Sequence, residues 1–161
     1  RGNDMKKLFT LMLLLSQNVS AADCFDLAGQ AYRIDPDLLR ATSFRESSFN
    51  PRALNVVSET KYAVGLMQIH SSNFSHLAQF GITPTVLYND PCMNIYTGAY
   101  YMAIAIKRLG YNWEAVGAYY AGFSKSPEQA AKRKWYMERV KSTYEQIKKA
   151  PSKGPKDSKG S

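Results

Sequence analysis

The sequence predicts an α+β domain, mostly α, with a small irregular or β-hairpin insert near residues 50–64. Three observations predict it. From Cys24 onward, apolar residues recur at helical spacing in one segment after another. Those segments are bounded by helix start and stop signals. Between Asn50 and Val64 the periodicity breaks into a polar stretch with β-branched residues, which reads as a loop or a hairpin. With 161 residues, 45% of them hydrophobic, one domain around one core is the expectation.

The elements follow in chain order. Residues 1–4, "RGND", precede Met5 and read as a remnant of cloning. Residues 5–21 read as a signal peptide. Lys6 and Lys7 give its basic start, Leu8 to Leu15 its apolar stretch, and "VSA" its small-residue site, with cleavage after Ala21. The apolar stretch is too short to span a bilayer. The folded domain is then expected over 22–150. Its first helix covers Cys24 to Arg33, on the spacing of Phe25, Leu27, Ala28, Ala31 and Tyr32. Asp35 caps a second helix, with Pro36 at the first position, that runs to Ser48 ahead of Pro51. "GLMQIHSSNFSHLAQFG" reads as a helical turn and then a helix stopped at Gly81. Asp90-Pro91 opens the longest apolar helix, stopped at Gly110, and "NWEAVGAYYAG" is a short one. Ser126, Pro127 and Gln129 form a capping box for the last helix, to Lys149. Residues 151–161, rich in Pro, Gly, Ser and Lys, read as a disordered basic tail.

The net charge is +8, and from Lys125 to Ser161 there are 11 Lys and Arg against 4 Asp and Glu, which accounts for +7 of it. Such a C-terminal part suits a polyanion, a membrane surface or an acidic partner, and equally a solvated helix and tail. Export and the lack of a basic groove interleaved with aromatics argue against nucleic acid as a partner. No Gly-rich phosphate loop is present. Two histidines and two cysteines without metal-ligand spacing predict neither metal nor cofactor. In an exported domain Cys24 and Cys92 read as one disulfide, with two buried free thiols as the alternative.

Glu46, in "SFRESSFNP", is the residue out of place. On a wheel of about 100° per residue from Leu38, Phe49 falls near 20°, Thr42 near 40°, Glu46 near 80° and Leu39 near 100°. Glu46 therefore lies inside the apolar stripe, and residue 50 is Asn, so no cation stands at i+4 to pair with it. A half-buried carboxyl without a counter-charge holds its proton to higher pH, which a general acid requires. The alternative is a carboxylate at a fraying helix end with its tip in water.

Three motifs weigh on that choice: "ES" (Glu46-Ser47), "GLMQI" (Gly65 to Ile69) and "AYYAG" (Ala118 to Gly122). Together, in this order, they resemble the signatures of the soluble lytic transglycosylase family, over about Ala22 to Lys149. The resemblance implies a lysozyme-like fold and cleavage of the β-1,4 bond between N-acetylmuramic acid and N-acetylglucosamine in peptidoglycan. "ADC", "DPC" and "YNWEAVGAYYAGFS" narrow it to the small specialised transglycosylases of type III secretion systems, the IagB, IpgF and EtgA group. That implies a paired Cys24 and Cys92, a periplasmic, monomeric enzyme acting on glycan strands, and an inner-rod component of the secretion apparatus as partner.

By position, the resemblance makes Glu46 the catalytic acid, Ser47 a small polar residue near the sugar, Met67 and Gln68 the cleft floor, and Tyr119 the tyrosine that orients the acid. The implied mechanism uses the substrate's own N-acetyl group and closes a 1,6-anhydro ring, so a second carboxylate is not obligatory, unlike the usual two-acid scheme. Two departures stand out. Tyr120 replaces the Asn of the usual "AYNAG", and Ala63 occupies a place that often carries an acid. Glu59, in "SETKY", is the nearest candidate for a second acid, as in a lysozyme-type hydrolase, and a solvated loop acid otherwise. A weakly active glycan-binding scaffold is the remaining alternative. His70 and His76 read as capping or surface residues, with glycan contact as the alternative. Core packing accounts for most of Tyr96, Tyr100, Tyr101, Tyr119 and Tyr120, and sugar stacking for one or two.

Overall fold

A computed structural model describes residues 21–151. The expected cloning remnant, the signal segment apart from Ala21 and the tail apart from Pro151 lie outside the described residues. Within them run helices α1 (Ala21–Tyr32), α2 (Pro36–Ser47), α3 (Phe74–Ala78), α4 (Pro84–Asn89), α5 (Pro91–Leu109), α6 (Trp113–Ala121) and α7 (Pro127–Lys149). Strands β1 (Leu54–Ser58), β2 (Lys61–Val64) and β3 (Ile69–His70) form one sheet in the order β1-β2-β3. The mostly helical α+β expectation holds.

The insert is a true hairpin. β1 and β2 pair antiparallel with Leu54 opposite Val64, Asn55 opposite Ala63 and Val56 opposite Tyr62, and the register shifts between Val56 and Ser58. The third strand was not expected, since "GLMQI" reads as a helical turn. Gly65 (φ 81) and Gln68 (φ 50) are both left-handed, and no right-handed helix continues through such residues. The chain instead turns and lays Ile69 beside Val64 and His70 beside Ala63. Helix α4 was also missed, although its start signal stands in the sequence: the Thr83 side chain accepts from the Val86 amide, 3.2 Å away, and Pro84 follows it. The capping box on α7 closes on one side only. The Ser126 hydroxyl accepts from the Gln129 amide, whereas the Ser126 amide donates to the Ser124 hydroxyl.

Helix α5 is central, packing on α1, α4 and α6. It buries Ile95, Ala99 and Met102 completely, in one core with Leu39, Met67, Leu87, Val116 and Val140. Burying each large side chain contributes about 1.5–3 kcal/mol. At Gly98 a Cβ would stand 2.5 Å from the Met67 Cβ, so this glycine is what lets "GLMQI" seat on α5. The Cys24–Cys92 disulfide forms as expected and ties α1 to the first turn of α5, with the two Cα atoms 5.4 Å apart. Leu27 departs from the expected stripe and is exposed.

Helix α2 runs antiparallel to the C-terminal half of α7 and is pinned to it at both of its own ends. At one end Lys148 bridges Asp35 and Asp37 at 2.9 and 2.8 Å, and the Tyr144 hydroxyl donates to Asp35 at 2.7 Å. Burial alone would raise the Asp35 carboxyl, but the bonds from Lys148, Tyr144 and the Asp37 amide outweigh it and hold it below its ordinary value. At the other end the Arg45 Nε donates to the Arg139 carbonyl at 3.0 Å, beside Glu46. This pinning fixes what α7 presents to the end of α2.

Candidate active site

Glu46 stands in the last turn of α2. The helix stops at Ser47, and Ser48 and Phe49 follow in the left-handed region (φ 53 and 61). Phe49 is therefore off the helical stripe and exposed, whereas Leu38, Leu39 and Thr42 are buried as the wheel expects. Two successive non-glycine residues in that region cost about 1–3 kcal/mol each and end the helix abruptly behind the acid. Burial raises the Glu46 carboxyl from 4.5 to about 7. A single hydrogen bond opposes the rise: the Tyr136 hydroxyl donates to Oε1 at 2.5 Å. Among the described residues no cation pairs with it.

The carboxyl opens on a cleft of about 550 Å³. One wall is the sheet side, with Asn55, Ala63, Gln68 and His70; the other carries Tyr101 from α5 and Tyr119 and Tyr120 from α6. Glu46 is the one acid among the residues lining it. Near neutrality this arrangement can hold a proton within the cleft, give it up and take it back.

The expected site residues divide. Gln68 lines the cleft, and its amide also donates to the Gly65 carbonyl at 3.1 Å. Met67 does not reach the cleft. Its side chain is fully buried against α5, so its expected place in the sugar-binding floor is corrected to the core beneath it. Its backbone is clamped instead: the Met67 amide donates to the Asn94 side chain at 2.8 Å, and the Met67 carbonyl accepts from the Tyr119 hydroxyl at 2.6 Å. Ser47 likewise points away from the cleft. Its hydroxyl lies 2.8 Å from the Leu66 carbonyl, and Ser43, one turn earlier, reaches the same oxygen at 3.1 Å. Ser47 thus joins α2 to the "GLMQI" turn and sets the height of Glu46 over it.

Tyr119 is near Glu46, whose charge adds to burial in raising the Tyr119 hydroxyl well above its usual range. The expectation that Tyr119 orients the acid is nonetheless corrected, because its hydroxyl is used on Met67. The orienting hydroxyl belongs to Tyr136, on α7, in "KWYMERV". Burial first, then the Glu46 charge, keeps Tyr136 protonated and a donor. The sequence reading missed it because Tyr136 sits at ordinary core spacing, and only the antiparallel packing of α7 on α2 brings it to Glu46. Asn94 was missed as well. Fully buried, it holds the Met67 amide and the Val64 and Leu87 carbonyls, backbone groups that cost about 1–3 kcal/mol each when left unpaired.

Glu59 lies exposed in the turn joining β1 to β2 and is not among the residues lining the cleft. Ala63, by contrast, lines it, so the position that often carries an acid looks into the cleft with a methyl group. His70 both lines the cleft and caps the turn at Ser71–Asn73, accepting from the Ser72 amide at 3.1 Å. His76 is exposed on another face, stacked on Tyr100. Of the tyrosines, Tyr96 and Tyr100 line a separate apolar groove. The Tyr101 hydroxyl is buried without a partner; nothing in the structure explains it.

The transglycosylase SLT domain family model matches residues 23–142. X polypeptide of Escherichia coli is 51% identical over 146 residues, covering 89% of this chain and 86% of that protein. Invasion protein IagB of Salmonella typhimurium is 37% identical over 135 residues, covering 84% and 83%. Protein IpgF of Shigella flexneri is 33% identical over 143 residues, covering 89% and 93%. Among solved structures, the 70 kDa soluble lytic transglycosylase of Escherichia coli superposes with a TM-score of 0.60 at 23% identity, over 79% of this chain. The chain spans about a quarter of the length of that structure, whose likeness shows the lysozyme-like fold. The chain belongs to the transglycosylase SLT domain family and has that family's enzymatic class, lytic transglycosylase.

Proposed function

We propose that this domain cleaves the β-1,4 bond between N-acetylmuramic acid and N-acetylglucosamine of peptidoglycan in the periplasm, leaving a 1,6-anhydromuramyl end. The observation that carries this reading is a single acid, Glu46, which burial pushes up to about 7, opening on a cleft lined by no second carboxyl. Glu46 donates its proton to the leaving glycosidic oxygen as the C1–O bond breaks. The neighbouring N-acetyl carbonyl stabilises the positive charge at C1. Glu46, now a carboxylate, takes the proton of the muramyl C6 hydroxyl, whose oxygen bonds to C1 and closes the ring. One group with a pKa near the working pH serves both steps. Gln68 contacts the glycan from the cleft, while Ser47, Met67 and Tyr119 position the turn beneath it. Purified sacculi digested with the enzyme are expected to give muropeptides lighter by one water than the hydrolysis products. Reducing ends in their place would return the reading to a lysozyme-type hydrolase, which the remote position of Glu59 disfavours.

Tyr136 is a positioning residue in this scheme. Tyr136→Phe removes a hydrogen bond to an ionisable group, worth about 1.5–3 kcal/mol, so turnover is expected to fall roughly ten- to a hundred-fold. That bond lowers the Glu46 pKa, so its loss raises it further. The alkaline limb of the pH–rate profile, where the acid is lost, therefore moves to higher pH. An unchanged limb would show that Tyr136 acts only through packing.

The likeness to IagB and IpgF supports a role with a type III secretion apparatus; the proposal is that the domain, as a monomer, opens the wall locally for it beside an inner-rod component. Expression in a Salmonella strain lacking IagB tests this role: restored secretion supports it, and active enzyme without restoration overturns it.

A further inference from the structure

The cleft does not end at Glu46. Tyr120, the residue that departs from "AYNAG", lies with its ring nearly parallel to Tyr136, centroids 4.9 Å apart at 11°. One face of Tyr120 is thereby spent on the tyrosine that holds Glu46, yet the residue remains 51% exposed and lines the cleft. Trp135, the neighbour of Tyr136 on α7, is tilted against Tyr120 at 5.8 Å and is 52% exposed. The Arg139 guanidinium lies 5.0 Å from the Trp135 ring and steadies it. Tyr120 and Trp135 also line a second hollow, of about 460 Å³, with Ala131, Glu128 and Lys132. Tyr120 therefore belongs to the lining of both hollows.

Beyond Tyr136 against Tyr120 and Arg139 against Trp135, about half of each ring stays exposed among the described residues. The chemistry around them selects what would cover them. Glu128 and Lys132 neutralise each other at 2.8 Å, so the hydrogen-bonding groups they bring beside Tyr120 carry no net charge, while the Arg139 guanidinium lies against Trp135. An uncharged pyranose fits such a place: its C–H face lies on a ring, and its hydroxyls and N-acetyl group meet polar side chains. The ledge meets the cleft at Tyr120, which stacks on the Tyr136 that holds Glu46, so a strand extending past Glu46 on that side would reach it.

We propose that Tyr120 and Trp135 form an aromatic ledge that seats one N-acetyl sugar of the bound glycan strand, outside the cleft that holds the scissile bond. The proposal rests on the reading of the cleft as a peptidoglycan site. It gives the Tyr120 departure a function: the residue trades the amide of the usual Asn for a stacking face that lengthens the glycan grip.

The test uses the full chain carrying Glu46→Gln, so that ligand is bound and not consumed, titrated calorimetrically with chitohexaose, a glycan without peptide stems. Adding Trp135→Ala or Tyr120→Ala is expected to weaken binding roughly five- to ten-fold, the scale of one aromatic contact, while Trp135→Phe retains most of it. Chitohexaose is also expected to shift the tryptophan fluorescence of the parent, and Trp135→Phe to abolish that shift. Trp135 is half exposed, so these variants keep the fold, and far-ultraviolet circular dichroism checks it. If the parent binds chitohexaose and all three variants bind it equally well, the ledge is overturned while the cleft reading stands. Weakening on sacculi but not on chitohexaose overturns the sugar in favour of the peptide stem. A parent that binds neither ligand overturns ledge and cleft together. Reducing ends in the sacculus digest count against the proposed chemistry alone.

Discussion

Glu46→Gln is expected to lower turnover on purified sacculi by about three to four orders of magnitude, because one carboxyl carries both proton transfers. The amide is nearly isosteric and still accepts the Tyr136 hydrogen bond, so the fold and substrate binding persist. Release of soluble muropeptides measures the loss, and a rate within tenfold of the unaltered enzyme would remove Glu46 from the chemistry. The same substitution has a second, opposite consequence for stability. The folded carboxyl titrates at about 7 and its ordinary value is 4.5. Between these the native state keeps a proton that the unfolded chain has released, so stability declines as pH rises through that window and stays reduced above it. The penalty is roughly 3 kcal/mol. Glu46→Gln lifts it, so the variant should match the unaltered protein near pH 4 and melt several degrees higher at pH 8. Equal Tm values at both pH values would mean that the carboxyl is not held in the dry state that the cleft reading needs.

The second large effect is covalent. The Cys24–Cys92 bond closes a loop containing α2, the whole sheet, the "GLMQI" turn, α3 and α4. In the chain-entropy model a loop of that size is worth about 4 kcal/mol. A Cys24→Ser, Cys92→Ser double variant is therefore expected to lose about 4 kcal/mol in urea unfolding. Neither cysteine is among the residues lining the cleft, so turnover per folded molecule at low temperature should persist. A reductant should bring the unaltered protein to the same midpoint, and an unchanged midpoint would assign the bond no part in stability.

Much of the fold was legible because its signals are local. Asp35, Asp90, Asn112 and Ser126 each cap the helix that follows them, with a side-chain oxygen accepting from an amide two or three residues on. Where the reading failed, tertiary contacts overrode or replaced a local signal. "GLMQI" has helical composition, but Gly65 sits where a Cβ would meet the Asn94 amide at 2.1 Å, and Asn94 holds the turn in a shape that propensity does not encode. Met67 is apolar and reads equally as a cleft or a core residue; the close approach of Gly98 decides for the core.

The sequence by itself put Glu46 inside an apolar helical stripe with no cation at i+4, which follows from the 3.6-residue period. It left the tip of that side chain free to be dry or to reach water. The resemblance carried by "ES", "GLMQI" and "AYYAG" then weighed for a catalytic acid. The sequence also determined the helices other than α4, the break in periodicity at the insert and the two cysteines available to pair. Only the tertiary structure decided what surrounds the acid: that Tyr136 and not Tyr119 holds it, that Ser47 faces the "GLMQI" turn and not the sugar, that Ala63 looks into the cleft and Glu59 does not, and that Tyr120 stacks on Tyr136. The reason is distance along the chain. Glu46 and Tyr136 are 90 residues apart, and no periodicity reports which faces of α2 and α7 will meet until their two ends are pinned together.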